Sequence, residues 1–224
     1  MEGLHDPSIF KCVFMIGGPG SGKSSASDLI SLKTFGFITI NSDVMFTHLM
    51  IKNNLDLKMP EEEEPQRDEI RDTAKKKTYN KLMSAVDGRL GIVIDGTGEN
   101  YDKIERMKEE LEKMGYEFFL IVVQADLQTA LQRNALRPRS VPPKLVEKKW
   151  SGVQNNLEKF RELFPLNVEV DNNGSLEDLI PQTDSVHKQI GKWAKTKPDN
   201  SAAKKWMHQQ QTARTAPSDA PLST

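Results

Sequence analysis

One cysteine, Cys12, occurs in 224 residues, which excludes an intrachain disulfide and any multi-cysteine metal site within this sequence. Its setting, the apolar run KCVFMI, suits a buried, inert thiol better than a nucleophile. Histidine is nearly as scarce. None of the four has a partner at metal-ligand spacing, so no zinc is expected, and His48 falls on a helical stretch close to Asp43. Long hydrophobic runs are absent as well. No segment approaches the about 18 apolar residues that span a bilayer, and MEGLHDPSIF lacks the basic start and apolar stretch of a secretory signal. A cytoplasmic protein with no membrane contact is therefore expected. Charge of one sign is missing too: 31 Lys and Arg oppose 32 Asp and Glu, for a net −1. Overall charge thus gives no pull towards nucleic acid, membranes or acidic partners.

Alternation is what the sequence does have. Short runs rich in β-branched and aromatic residues lie at Cys12–Ile16, Phe37–Ile40, Gly91–Ile94, Glu117–Val123 and Val168–Val170. Their nearly continuous apolar character suits strands covered on both faces. Helical patterns fall between them, at Lys23–Leu32, Val44–Lys52, Gln66–Asp87, Tyr101–Met114, Leu127–Leu136, Pro143–Phe164 and Leu176–Ala194. Strand–helix alternation predicts an α/β fold with a parallel sheet of about five strands. A length of 224 residues and 37% apolar content suit one domain, with part of the chain outside the core.

Two stretches interrupt the alternation. Residues 44–88 hold more helical material than one crossover needs, including four glutamates at 61–64 that read as a solvated face or loop. From about Lys195 the sequence is polar and rich in proline, which predicts a disordered tail over 195–224 behind a domain at 1–194. Lys, Arg and Trp206 in that tail could touch nucleic acid, although a plain solubilising tail explains them as well.

The stretch GGPGSGKS, Gly17-Gly18-Pro19-Gly20-Ser21-Gly22-Lys23-Ser24, fits G-x-x-x-x-G-K-[ST], a phosphate-binding P-loop. Glycines remove the Cβ atoms that would keep backbone N–H groups away from an anion. Lys23 adds a mobile positive charge, Ser24 a hydroxyl for Mg²⁺, and the helix starting there aims its positive end at the phosphates. A bare glycine turn is the alternative. The preceding apolar strand, the following helix and the Lys-Ser pair favour nucleotide binding.

Aspartates end the next two strands. Asp43, in Asn41-Ser42-Asp43, is placed to take a proton from a hydroxyl attacking a γ-phosphate; equally, Ser42 or Asp43 could simply cap the next helix. Asp95, heading DGTGEN, suits Mg²⁺ held through water or an acceptor hydroxyl, or a strand-end turn. D-G-T-G also matches the D-x-x-G of GTPases, but their guanine-reading N-K-x-D is missing. Arg133 and Arg137, four residues apart, would share a helix face and could close over a triphosphate, or mark a basic helix end. Asp171–Gly174 could frame an adenine; Ser175 with Asp178 reads more simply as a helix cap.

Taken in order, GGPGSGKSS, ITINSD, VIDGTGENYD and LQRNALRPRSVPPKLVEKKW resemble the P-loop kinases that include zeta toxins and polynucleotide 5′-kinases, from about Cys12 to Gly174. That resemblance implies a three-layer α/β/α P-loop NTPase fold with a helical insertion at about 44–88 and a lid at about 133–143. It implies ATP as donor, held by residues 17–25 (Ser25 included), Arg133 and Arg137, with Mg²⁺ on Ser24 and Asp95. Asp43 matches the general base, acting with Lys23 and Arg137, while Asp95 and Thr97 face the acceptor. The acceptor would be a hydroxyl on a small molecule of nucleotide-sugar or nucleotide type. A 5′-hydroxyl kinase of nucleic acid is the alternative. Polynucleotide kinases carry an arginine soon after the catalytic aspartate, whereas here no Arg or Lys follows Asp43 until Lys52. An alternative of another class is a non-catalytic, nucleotide-dependent binding module. Such a module would engage a partner through the insertion or the tail, and the sequence does not name that partner.

Overall fold

The structure is a computed structural model and describes residues 3–215. β1 (Lys11–Ile16), β2 (Ile38–Ile40), β3 (Ile92–Asp95), β4 (Glu117–Gln124) and β5 (Asn167–Asp171) form one sheet in the order β2-β3-β1-β4-β5, with every pairing parallel. All five lie where the apolar runs predict. β1 is the central strand and its six residues are all buried.

Because successive side chains of a strand point to opposite faces, β1 feeds two cores. Cys12, Phe14 and Ile16 join Leu111, Phe160 and Phe164, while Val13 and Met15 join Ile30, Val186 and Ile190. The first face is covered by α3 (Glu64–Asp87), α4 (Tyr101–Lys113) and α6 (Pro143–Leu163), the second by α1 (Lys23–Ile30) and α7 (Leu176–Ala194). The expected three layers are present. Cys12 is fully buried, and desolvation pushes its thiol well above its ordinary pKa. At the start of β1 the buried Lys11 ammonium is paired with Glu117 at 2.5 Å and donates to Thr196 Oγ1, tying β4 to the end of α7.

Helix starts follow local chemistry. Asn100 caps α4, Asp126 caps α5 (Leu127–Ala135), and Ser175 with Asp178 forms a full capping box on α7. Each side chain satisfies a backbone N–H that has no partner within the helix. Most of the stretch 44–88 is helical. α2 (Ser42–Lys52) packs on α3 around a separate small core of Phe46, Leu49, Met50 and Ala74. The far end of α3, through Leu82, Ala85 and Val86, belongs to the main core. Glu61–Glu63 forms a short 3-10 turn on the surface.

The tail departs from expectation. Ser201–Thr215 is a helix, α8, not a disordered segment, and its docked face joins the main core. Ala203 is fully buried, and the Trp206 ring meets Phe10 edge-on with centroids 5.4 Å apart. The Arg89 guanidinium lies 5.8 Å from the same ring. Ala203, Trp206 and Met207 are spaced i, i+3 and i+4, so a single apolar stripe is enough to dock an otherwise polar helix. Trp206 is thereby committed to packing rather than to nucleic acid. The rest of the predicted tail, 216–224, lies outside the described residues. Among the described residues, no helix is long and apolar enough to cross a membrane.

Candidate active site

The glycine loop leaves the C-terminal end of β1, the edge of a parallel sheet where ligands bind. Two of its glycines are required by geometry. Gly20 (φ +82°) would place a Cβ 2.1 Å from the Ala130 carbonyl oxygen, and Gly22 (φ +83°) would place one 1.9 Å from Asn172 Nδ2. Neighbouring segments fix the loop. Gly17 N–H donates to the Thr97 carbonyl at 3.1 Å, Asn172 Nδ2 donates to the Ser21 carbonyl at 2.8 Å, and Arg133 Nη1 donates to the Asn172 carbonyl at 2.6 Å. The backbone of Trp150 on α6 packs against Gly18, and its indole N–H donates to the Ala125 carbonyl at 2.8 Å. Lys23 Nζ reaches back to the Gly17 carbonyl at 2.5 Å. Desolvation lowers the Lys23 pKa, with the Asp95 carboxylate opposing that effect.

A cleft of about 550 Å³ opens beside this loop. Of the predicted site residues it is lined by Gly18, Gly22, Lys23, Ser24, Asp43, Asp95, Thr97 and Arg137. Gly17, Pro19, Gly20 and Ser21 shape the loop without lining the cleft, and Ser25 is exposed on α1. Arg133 and Arg137 do not share a helix face, contrary to expectation. Asn134, buried, donates to the Val141 carbonyl at 2.8 Å and accepts from Val141 N–H at 3.1 Å. Those two bonds pull the chain out of helix after Ala135. Arg137 therefore sits in the 136–142 loop at the cleft, while Arg133 stays in α5 against Asn172.

Asp95 arrives by strand register. It pairs with Met15 across β3 and β1, so the sheet itself brings the carboxylate beside the loop. Asn41 Nδ2 donates to Asp95 Oδ2 at 2.5 Å, whereas Asp95 Oδ1 is buried with no protein partner. Burial raises the Asp95 pKa, opposed by Lys23 and the Asn41 hydrogen bond. The cap of α2 is Asn41 rather than Ser42 or Asp43: its Oδ1 accepts from the N–H groups of Asp43 and Val44. The Asp43 carboxylate is thus free of capping duty. It accepts from Arg139 Nη2 at 3.1 Å and is 60% exposed to the cleft side. The 171–174 turn is structural in the way its sequence suggests, with Ser175 and Asp178 capping α7 and Asn172 clamped on the loop.

Sequence reasoning missed four contributors: Asn41, Arg139, Trp150 and Asn172 as a clamp. Asn41 had a readable signal, an N-cap residue type after a strand. Arg139 had none, since it meets Asp43 across 96 residues of chain.

The zeta toxin family model matches residues 5–182, most of the chain. The chain belongs to the zeta toxin family. Comparison with curated proteins gives no match. Among solved structures, this zeta toxin family member is similar to a gluconokinase from Sinorhizobium meliloti 1021, with 13% identity, TM-score 0.51, and coverage of 82% of this chain and 95% of that one. It is similar to a chain of the PezAT chromosomal toxin-antitoxin system of Streptococcus pneumoniae, with 16% identity, TM-score 0.52, and coverage of 82% and 84%. It is also similar to a chain of the Pnkp1/Rnl/Hen1 RNA repair complex, with 19% identity, TM-score 0.51, and coverage of 67% and 46%. At these identities the likeness is one of fold, that of the P-loop kinases.

Proposed function

We propose that the protein is a kinase that moves the γ-phosphoryl group of ATP to a hydroxyl of a small-molecule acceptor of nucleotide-sugar or nucleotide type. The observation that carries this reading is the convergence of Lys23, Ser24, Asp43, Asp95 and Arg137 on one cleft at the strand ends. Backbone N–H groups of the glycine loop and the α1 N-terminus receive the β and γ phosphates, and Lys23 turns from the Gly17 carbonyl to join them. The acceptor oxygen attacks γ-phosphorus, the bond to the β–γ bridging oxygen breaks, and ADP leaves with that electron pair. Asp43 takes the proton of the hydroxyl. Arg137 offsets charge on the transferred group.

Mg²⁺ fits this set, because the orphaned, buried Asp95 Oδ1 and the exposed Ser24 hydroxyl are oxygen donors on the same cleft. When bound, it would neutralise phosphate charge. The GTPase reading stays without its guanine-binding motif.

Incubation with γ-labelled ATP and a panel of nucleosides, nucleotides, sugar nucleotides and oligonucleotides tests the proposal. Transfer to a small acceptor, lost in Asp43→Asn with ATP binding intact, is the expected result. Labelled oligonucleotides would instead select the 5′-hydroxyl kinase. Nucleotide binding without transfer to any acceptor, and function unchanged in Asp43→Asn, would select the binding module.

A further inference from the structure

The acceptor half of the cleft has a chemistry of its own. Val44, Thr47, His48 and Ile51 line it from α2 at i, i+3, i+4 and i+7, a single helix face, with Leu57 beyond them. Val44 is 67% exposed and Ile51 59%, although α2 has a small core of its own in which to bury such side chains. Val44 and Ile51 are thus two open apolar side chains on either side of Thr47 and His48, and an apolar ligand surface has them to pack on.

Arg139 lines the same cleft, beside α2. One nitrogen, Nη2, is on Asp43; the other, Nη1, is buried with no partner. Its guanidinium lies 5.3 Å from the Phe46 ring, and Arg71 of α3 lies 4.2 Å from the same ring. Two cations therefore share one aromatic side chain beside the proposed base, and one buried donor is unspent. A buried guanidinium nitrogen without a partner carries a desolvation penalty that an incoming anion removes.

We propose that this half of the cleft recognises an acceptor that combines an apolar ring face with one anionic group, phosphate or carboxylate. The ring packs on the α2 face that carries Val44 and Ile51, and the anion takes Arg139 Nη1. Because Nη2 holds Asp43, Arg139 then sets the distance between the acceptor and the base. The proposal rests on the kinase reading and narrows its acceptor.

The test uses the full chain saturated with Mg²⁺ and a non-hydrolysable ATP analogue, so that the glycine loop is occupied. Calorimetry then compares phenyl phosphate, benzoate, inorganic phosphate and benzyl alcohol. At least one ring anion should bind about tenfold tighter than inorganic phosphate and than benzyl alcohol, one increment of about 1.4 kcal/mol in affinity. Which of phenyl phosphate and benzoate wins identifies the anion. Arg139→Ala should weaken the preferred ring anion about tenfold and leave benzyl alcohol unchanged, while Arg139→Lys retains part of the affinity as a point charge. Ile51→Ser should weaken both ring anions and leave inorganic phosphate alone. Ring anions no tighter than their fragments, or indifferent to Arg139→Ala, overturn the proposal and leave the kinase reading standing. An ATP analogue that does not bind removes the kinase reading, and this proposal with it.

Discussion

On the loop side of the cleft the backbone is held from several directions: by Thr97 at Gly17, by Asn172 at Ser21, and by α5 and α6 packed on Gly20 and Gly18. On the α2 side, Asp43 has one ion pair, reached from a loop, and its neighbours Val44 and Ile51 stand open. On the proposed kinase reading, the contrast follows from what each half would bind. A triphosphate is the same in every turnover and rewards a cradle whose amides are fixed before it arrives. An acceptor must enter, bring its hydroxyl to the base and leave as product, which favours side chains over backbone and a loop over a strand.

Four substitutions probe that contrast. In Asp95→Asn, transfer should fall by about a thousandfold while the fold tightens, if charge at this position serves chemistry rather than stability. Burial raises the Asp95 pKa in the folded protein, so the neutral form is favoured there and the carboxylate costs stability once ionised. The variant should melt a few degrees above the parent at neutral pH, with the gap closing as pH falls through the carboxylate range and both side chains become neutral. A lower melting point at neutral pH would mean that Asp95 braces Asn41. Gly20→Ala comes next. It forces a Cβ against the Ala130 carbonyl at positive φ, so ATP-analogue affinity measured by calorimetry should drop about thirtyfold. The corresponding change on the open side, Val44→Ala, should leave that affinity untouched. Trp206→Ala, at the opposite edge of the sheet, should lower unfolding stability by about 2 kcal/mol in a urea titration. Kinetic constants should not move; if they did, α8 would be coupled to the cleft.

The fold was legible because its strands are buried on both faces and therefore apolar throughout, a signal local enough to read residue by residue. The glycine loop was legible for the same reason, since its whole geometry resides in eight consecutive residues. Arg137 was misplaced because a helix was extrapolated past Ala135, and only the contact between Asn134 and Val141 reveals where it ends. α8 was missed because composition averages over the three residues that dock it. Arg139 could not be found at all: its meeting with Asp43 is a property of the folded chain.

Of the three tryptophans, Trp193 packs on Phe37 and Phe119, and Trp206 on Phe10, all at the sheet edge away from the glycine loop. Trp150 alone lies against that loop, at Gly18. The protein thus carries its own optical reporter, in which a change of indole emission on adding nucleotide tracks occupancy of the phosphate cradle without any label.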